Sequence, residues 1–294
     1  MNLLALILGL GVERFLTHFF HWREFRWLDP LFDRAFTALG GRSRNLALLG
    51  IGGLALLLVL PVELLELALV DRFAYVPAFV LAVFVLLICL GPRDLVEEVE
   101  DYERALAAGD QDAAAGYAAE LLEGSAADDP DSGAVERAVY AQANNRIFGV
   151  VFWFILLGPS GAWLFRVFDL MRRRANARAA AADTPECAQC AQVVLQLHGL
   201  LAWLPSRLLM VGYALAGSYD GGVSAWREYR PRIARANWGL AGELLGAVGC
   251  GAATERDSDD PGARARIALE LVQRTLWTIW CPILALLTLY DWIM

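Results

Sequence analysis

The side chains best suited to chemistry gather in one stretch, Gln142–Arg174, QANNRIFGVVFWFILLGPSGAWLFRVFDLMRRR. Asn145 and Arg146 precede an apolar run. Ser160 sits inside a Gly-Pro-Ser-Gly break, and Arg166 and Asp169 follow before a basic cluster. A guanidinium presents a planar fork of donors that matches the two oxygens of a carboxylate or phosphate, so this set is a candidate for holding an anionic ligand. A second segment, WLPSR, adds Trp203 and Arg207. Pro205 removes a backbone donor there, and the freed carbonyls beside a guanidinium suggest an anion or carboxylate site. The alternative is an Arg207 that snorkels or pairs with Asp169. Glu13 and Arg14 interrupt the first apolar run, and charges placed at membrane depth usually face a polar cavity; a pair resting at the membrane interface is the other reading. These nine residues are candidate ligand contacts, and none is assigned a catalytic role.

Several chemistries are excluded or unsupported. Every one of the 25 Lys+Arg positions is Arg, which removes a P-loop lysine and a Schiff-base lysine. The net charge of -8 opposes general nucleic-acid affinity. Five cysteines are an odd number, and Cys187-x-x-Cys190 is half of a zinc pattern without a second half, so no metal site is expected. His198 stands alone nearby. No cofactor motif is present: Gly221-Gly222 lacks the strand context of a dinucleotide-binding loop.

The elements that must position these residues are apolar helices. With 57% hydrophobic residues and a mean hydropathy of +0.44, the chain reads as an all-α polytopic membrane protein. About four transmembrane helices are expected, with a broken or re-entrant helix, amphipathic interfacial helices and a soluble helical hairpin. Residues 1–92 form an N-terminal membrane part containing a helical hairpin at 46–92, whose spans are Leu46–Leu65 and Ala74–Leu90. The N-terminus lacks a basic region and a cleavage site, so it reads as retained membrane sequence. Gly50, Gly52 and Gly53 would let helices approach closely.

Residues 93–145 form a soluble acidic hairpin, with Leu95, Val99, Tyr102 and Leu106 at helical spacing, Gly109 as a stop and Asp110 or Asp112 as the next cap. Residues 146–217 hold the broken-helix core, where 187–217 reads as a helix pair around Pro205 carrying a polar stripe (Gln189, Gln192, Gln196). Residues 218–274 are polar helix and loop, with an amphipathic helix at Ala234–Val248. The final span is 275–294.

Charge placement sets a topological problem. The arginines at 23–44 and those at 172–178 should both be cytoplasmic. Three apolar segments lie between them, and three full crossings would put them on opposite faces. A re-entrant turn at Gly158-Pro159-Ser160-Gly161 resolves the conflict.

The segments ERFLTHFFHWREFRWLD, EDYERALAAGDQDAAAGYAAELL, NNRIFGVVFWFILLGPSGAWLFRVFDL, WLPSRLLMVGYALAG and ALLTLYDWI together resemble the AmpE family over nearly the whole chain. The resemblance implies a multi-pass bacterial inner-membrane protein associated with regulation of β-lactamase induction and linked to cell-wall recycling. That family is distantly similar to the CobD/CbiB membrane proteins of cobalamin synthesis, which condense an aminopropanol unit onto cobyric acid. In that comparison Gly158-Pro159, Arg166 and Asp169 fall on the relatives' glycine–arginine–acid region, and Pro205-Ser206-Arg207 on a Pro-x-Arg motif. No His-Pro motif follows the first helix, where Leu28-Asp29-Pro30 is nearest. The relatives' Asn-Thr-Leu-Asp is reduced to Phe168-Asp169.

A shared scaffold with altered chemistry is therefore implied. The expected function is regulation by ligand or partner binding without turnover. The expected partners are the lipid bilayer, a cell-wall-related ligand or a protein docking on the cytoplasmic hairpin, and a second copy of the chain. The competing readings are a membrane amide-forming synthase and a transporter.

Overall fold

The computed structural model describes residues 25–70, 76–90, 95–123, 132–181, 185–233, 241–253 and 260–286. Glu13, Arg14 and the rest of the N-terminal apolar run lie outside these residues. All regular structure among the described residues is helical. The helices are α1 (Asp29–Leu39), α2 (Arg44–Val70), α3 (Val76–Cys89), α4 (Leu95–Ala107), α5 (Gln111–Leu122), α6 (Ser132–Ala143), α7 (Gly149–Ala181), α8 (Pro185–Ala216), α9 (Tyr219–Ile233), α10 (Ala241–Ala252) and α11 (Pro261–Thr275). A π-helical turn, Asn144–Phe148, joins α6 to α7, and a second one, Leu276–Trp280, follows α11.

The chain divides into two compact units, each discontinuous in sequence. The first contains residues 1–92 and 146–201, and the second residues 93–145 and 202–294.

In the first unit, α7 packs against both α2 and α3. The 27 residues of α2 extend about 40 Å, enough to cross the roughly 30 Å hydrocarbon core. Its leucines (Leu49, Leu56, Leu57, Leu64) stay uncovered, as a lipid-facing surface requires, while Ile51 and Ala55 are buried. Among the described residues, Gly50 meets a neighbour, Leu39, whereas Gly52 and Gly53 meet none. The expected second span appears as α3, whose 14 residues give about 21 Å, short of a full crossing. Three described helices are long and apolar enough to cross: Arg44–Leu69, Gly133–Ala179 and Ala188–Ala216.

The middle one of these does not run straight. Gly158 has φ 68 and ψ -158, a conformation reserved for glycine. A Cβ placed on Gly161 would lie 2.4 Å from the Trp153 carbonyl oxygen, and one on Gly149 would lie 2.2 Å from the Phe165 ring. In an unbroken helix these pairs would stand about 12 Å and about 24 Å apart. The chain therefore doubles back at Gly158, and the re-entrant turn expected from the arginine placement is present. The apolar arm Ile147–Leu157 spans about 16 Å, roughly half a bilayer core.

The polar ends of this unit meet. Arg174 Nε donates to Asp33 Oδ1 at 2.8 Å, and Arg178 Nη1 donates to the Asp33 carbonyl at 2.9 Å. The side-chain bond from Arg174 is the main reason the Asp33 carboxyl is held below its ordinary range, with further help from Arg178. The two basic clusters thus sit at one place, pinned through α1.

The expected helix pair around Pro205 is instead one helix, α8. Pro205 has no N–H for the Leu201 carbonyl, and Trp153 Nε1 donates to that carbonyl at 3.0 Å. An outside donor replaces the lost rung, so the helix continues. In α2, Trp163 Nε1 donates to the Leu58 carbonyl at 2.9 Å, one residue beyond the Leu57 carbonyl that Pro61 leaves without its helical donor. The glutamine stripe of α8 docks on the α1–α2 turn. Gln189 donates to the Arg42 carbonyl at 3.0 Å, and Arg44 donates to Gln196 at 2.9 Å.

In the second unit, α4 and α5 form the expected hairpin. Gly109 (φ 73) ends the first, and Asp110 caps the second by accepting from the Ala113 N–H at 3.0 Å. Helix α6 joins them, packing on α10 and α11, while α9 packs on α10. Close approach comes from the glycines of α10: a Cβ on Gly249 would meet the Tyr140 ring at 2.4 Å. The helix expected at Ala234–Val248 is found at Ala241–Ala252, with residues 234–240 outside the described set.

Candidate functional site

Just past the Gly158 turn, one carboxylate collects several arginines. Asp169 is fully buried. Its Oδ2 accepts from Arg166 Nη1 at 2.9 Å and its Oδ1 from Arg172 Nη2 at 2.7 Å. Arg173 Nε stands 3.2 Å from Oδ2, and His198 Nε2 stands 4.0 Å from Oδ1. Positions 166, 169, 172 and 173 recur at three- and four-residue intervals, which places them on one face of α7. His198 comes from α8, with its ring 5.4 Å from that of Phe165.

Among the described residues, the cluster brings several arginines around one carboxylate. Arg166, Arg172 and Arg173 surround one carboxylate, and Arg146, itself buried, is close enough to repel the Arg166 guanidinium. Arg166 is wholly inaccessible to solvent, yet its Nε and Nη2 have no hydrogen-bond partner among the described residues. Those two nitrogens form the side-on edge of the guanidinium, the edge that grips two oxygens at once. Buried polar groups in native proteins are almost always satisfied, so such an edge asks for an acceptor.

The predicted residues divide between the two units. Arg146, Ser160, Arg166 and Asp169 belong to the first. Ser160 is buried next to Glu66 of α2. Asn145 lies in the π-helical turn one position before Arg146; π-turns recur at functional sites because they re-aim side chains. Trp203 and Arg207 belong to the second unit, where Trp203 is exposed beside Leu204 and the Arg207 guanidinium lies 5.7 Å from its ring centroid. The carbonyl that Pro205 frees is already taken by Trp153, so the expected grouping of free carbonyls with Arg207 does not form.

Reading the sequence missed His198, Arg172 and Arg173. As sequence, Arg172 and Arg173 read as part of a topogenic cluster, although the spacing Arg166-x-x-Asp169-x-x-Arg172-Arg173 carries the signal. His198 carried none, because only the packing of α8 on α7 brings it near. Cys190 is a buried core thiol that donates to the Phe36 carbonyl at 3.6 Å. Among the described residues no group of three or more His, Cys, Asp or Glu is placed to hold a metal ion.

Comparison with known proteins agrees with this architecture. The chain matches the family described as "Regulatory signalling modulator protein AmpE" over residues 1–293. It is also similar to the cobalamin biosynthesis protein CobD of Chromobacterium violaceum, at 27% identity over 59% of this chain and 54% of that protein. The CobD of Stutzerimonas stutzeri is 30% identical over 40% of this chain and 36% of its own length. The chain thus spans about half, or less, of the curated relatives it matches. No solved structure matches it. The chain belongs to the AmpE family.

Proposed function

We propose that this AmpE-family protein is a multi-pass inner-membrane regulator that acts by binding an anionic ligand at the Arg166–Asp169 cluster, in the signalling that controls β-lactamase induction and cell-wall recycling. One observation carries the reading. Asp169, the one carboxylate of the cluster among the described residues, already faces Arg166, Arg172 and Arg173, which leaves it poorly placed to act as a general base, while Arg166 keeps an unoccupied donor edge among the same residues. Such a set suits recognition better than proton transfer. Occupancy of the edge by an oxyanion would neutralise part of the arginines' charge and favour the conformation in which α7 and α8 are packed, which is how a binding event becomes a signal. Protein partners would dock through the acidic hairpin of α4 and α5, and a second copy of the chain through the lipid-facing surface.

The similarity to CobD proteins supports a second reading, a membrane amide-forming synthase in which the same arginines hold the acidic substrate. One pair of assays separates the two. In a host deprived of its own family member, the wild-type chain should restore induction of β-lactamase by a sub-inhibitory β-lactam. Arg166→Gln should not, at equal abundance in the membrane. Normal induction by Arg166→Gln would remove the site from the function. Amide formation by the purified protein from a carboxylate and an amino alcohol would establish the synthase instead.

A further inference from the structure

The second unit contains a cavity of about 620 Å³ between α6, α9, α10 and α11 that the cluster around Asp169 does not involve. That size falls within the roughly 300–1,000 Å³ of small-molecule sites and exceeds what an isolated ion fills. Its walls are fixed by close backbone contacts. A Cβ on Gly221 of α9 would lie 2.1 Å from the Gly251 carbonyl oxygen of α10, and one on Gly246 would lie 2.9 Å from Arg137 Cβ of α6. The Ser218 N–H donates to the Ala252 carbonyl at 2.7 Å, tying the start of α9 to the end of α10.

The lining is charged in both senses. Glu136 and Arg137 come from α6, Glu228 and Tyr229 from α9, and Arg264 from α11. Glu136 is the telling member. It is only 8% exposed, it lines the cavity, and it has no hydrogen-bond or ion-pair partner among the described residues. A carboxylate that faces an enclosed space and no protein cation is best matched by a ligand cation with donor hydrogens. Arg264 and Arg137, each with partners in the fold, line the same space and give it the positive charge that favours an acidic group. We infer that this cavity is a second binding site, for a small zwitterion of di- to tripeptide size, with its ammonium at Glu136 and its carboxylate at Arg264.

The ordering of charges gives the inference a test that does not depend on the Arg166 site. Full-length protein purified in detergent is titrated calorimetrically with trialanine, with N-acetyl-trialanine and with trialanine amide. Trialanine is expected to bind. Blocking either end should weaken binding about tenfold or more, as the loss of a charge-assisted hydrogen bond does. Glu136→Gln should weaken trialanine to a similar degree and make it insensitive to N-acetylation, whereas Arg264→Gln should remove the sensitivity to the C-terminal amide. Ser224 is exposed at the mouth of the cavity, so Ser224→Trp should fold normally and block entry. Absence of trialanine binding, equal affinity for all three peptides, or unaltered binding by Ser224→Trp would each overturn the assignment. Arg166→Gln, run alongside, should leave the titration unchanged.

Discussion

At the level of single residues, the energetics of the buried cluster are asymmetric. Removing one partner of a buried ion pair costs about 3–5 kcal/mol when it leaves the other charge uncompensated. Asp169 is the shared acceptor for Arg166, Arg172 and Arg173, so Asp169→Asn removes the one carboxylate that all three guanidinium groups contact. Arg166→Met, by contrast, leaves Asp169 with Arg172 and Arg173 and removes two buried nitrogens that lack partners among the described residues. Asp169→Asn should therefore lower unfolding stability in mixed micelles by about 3–5 kcal/mol, and Arg166→Met by less than half as much. Equal losses would mean that Arg166 is a structural anchor and that its open edge is occupied within the fold. The Arg166–Asp169 pair was legible in the sequence because both side chains interrupt an apolar run. Arg172 and Arg173 were not, because arginines just beyond such a run look the same whether they meet lipid headgroups or a buried acid.

At the level of elements, the turn at Gly158 depends on three glycines with different duties. Gly158 supplies a backbone conformation that costs other residues about 1–3 kcal/mol. Gly149 and Gly161 supply space where the two arms of the hairpin touch. Gly161→Ala should be the more damaging change, because its Cβ meets a backbone carbonyl, of Trp153, that cannot rotate away. Gly52→Ala, facing open space in α2, should be neutral or slightly stabilising through helix propensity. Thermal unfolding in detergent gives the order: Gly161→Ala lowest, Gly158→Ala next, Gly52→Ala at or above wild type. A wild-type melting point for Gly161→Ala would contradict a closed hairpin. The break itself could be read from Gly-Pro-Ser-Gly, since few helices pass through that sequence. The continuity of α8 could not, because the donor that repairs Pro205 is an indole on another element, distant in sequence. Nor could sequence show which glycines mediate contact: those of α2 and α10 look alike, and only the latter meet aromatic and arginine side chains.

At the level of the whole molecule, the reversal at Gly158 decides how the chain threads the bilayer. Counting apolar segments alone would put Arg34–Arg44 and Arg172–Arg178 on opposite faces, against the tendency of arginine-rich segments to remain cytoplasmic. The contacts of Asp33 with Arg174 and Arg178 join those segments within the first unit, so they share a face. The far end of α2, a helix length of about 40 Å away, then lies on the other. Single cysteines test this arrangement in a background with the native cysteines replaced by serine or alanine. Ser43→Cys in the α1–α2 turn and Ala181→Cys at the end of α7 should both resist a membrane-impermeant maleimide in intact spheroplasts and react after lysis. Ala68→Cys, near the end of α2, should react without lysis. Labelling of Ala181→Cys in intact spheroplasts would mean that α7 crosses completely, and the hairpin at Gly158 would have to open in the membrane. The labelling pattern thereby fixes the side on which the Arg166–Asp169 cluster can be approached, because that cluster lies on the same arm of α7 as Arg174. Protection of both basic segments would place the approach to the proposed site on the cytoplasmic side.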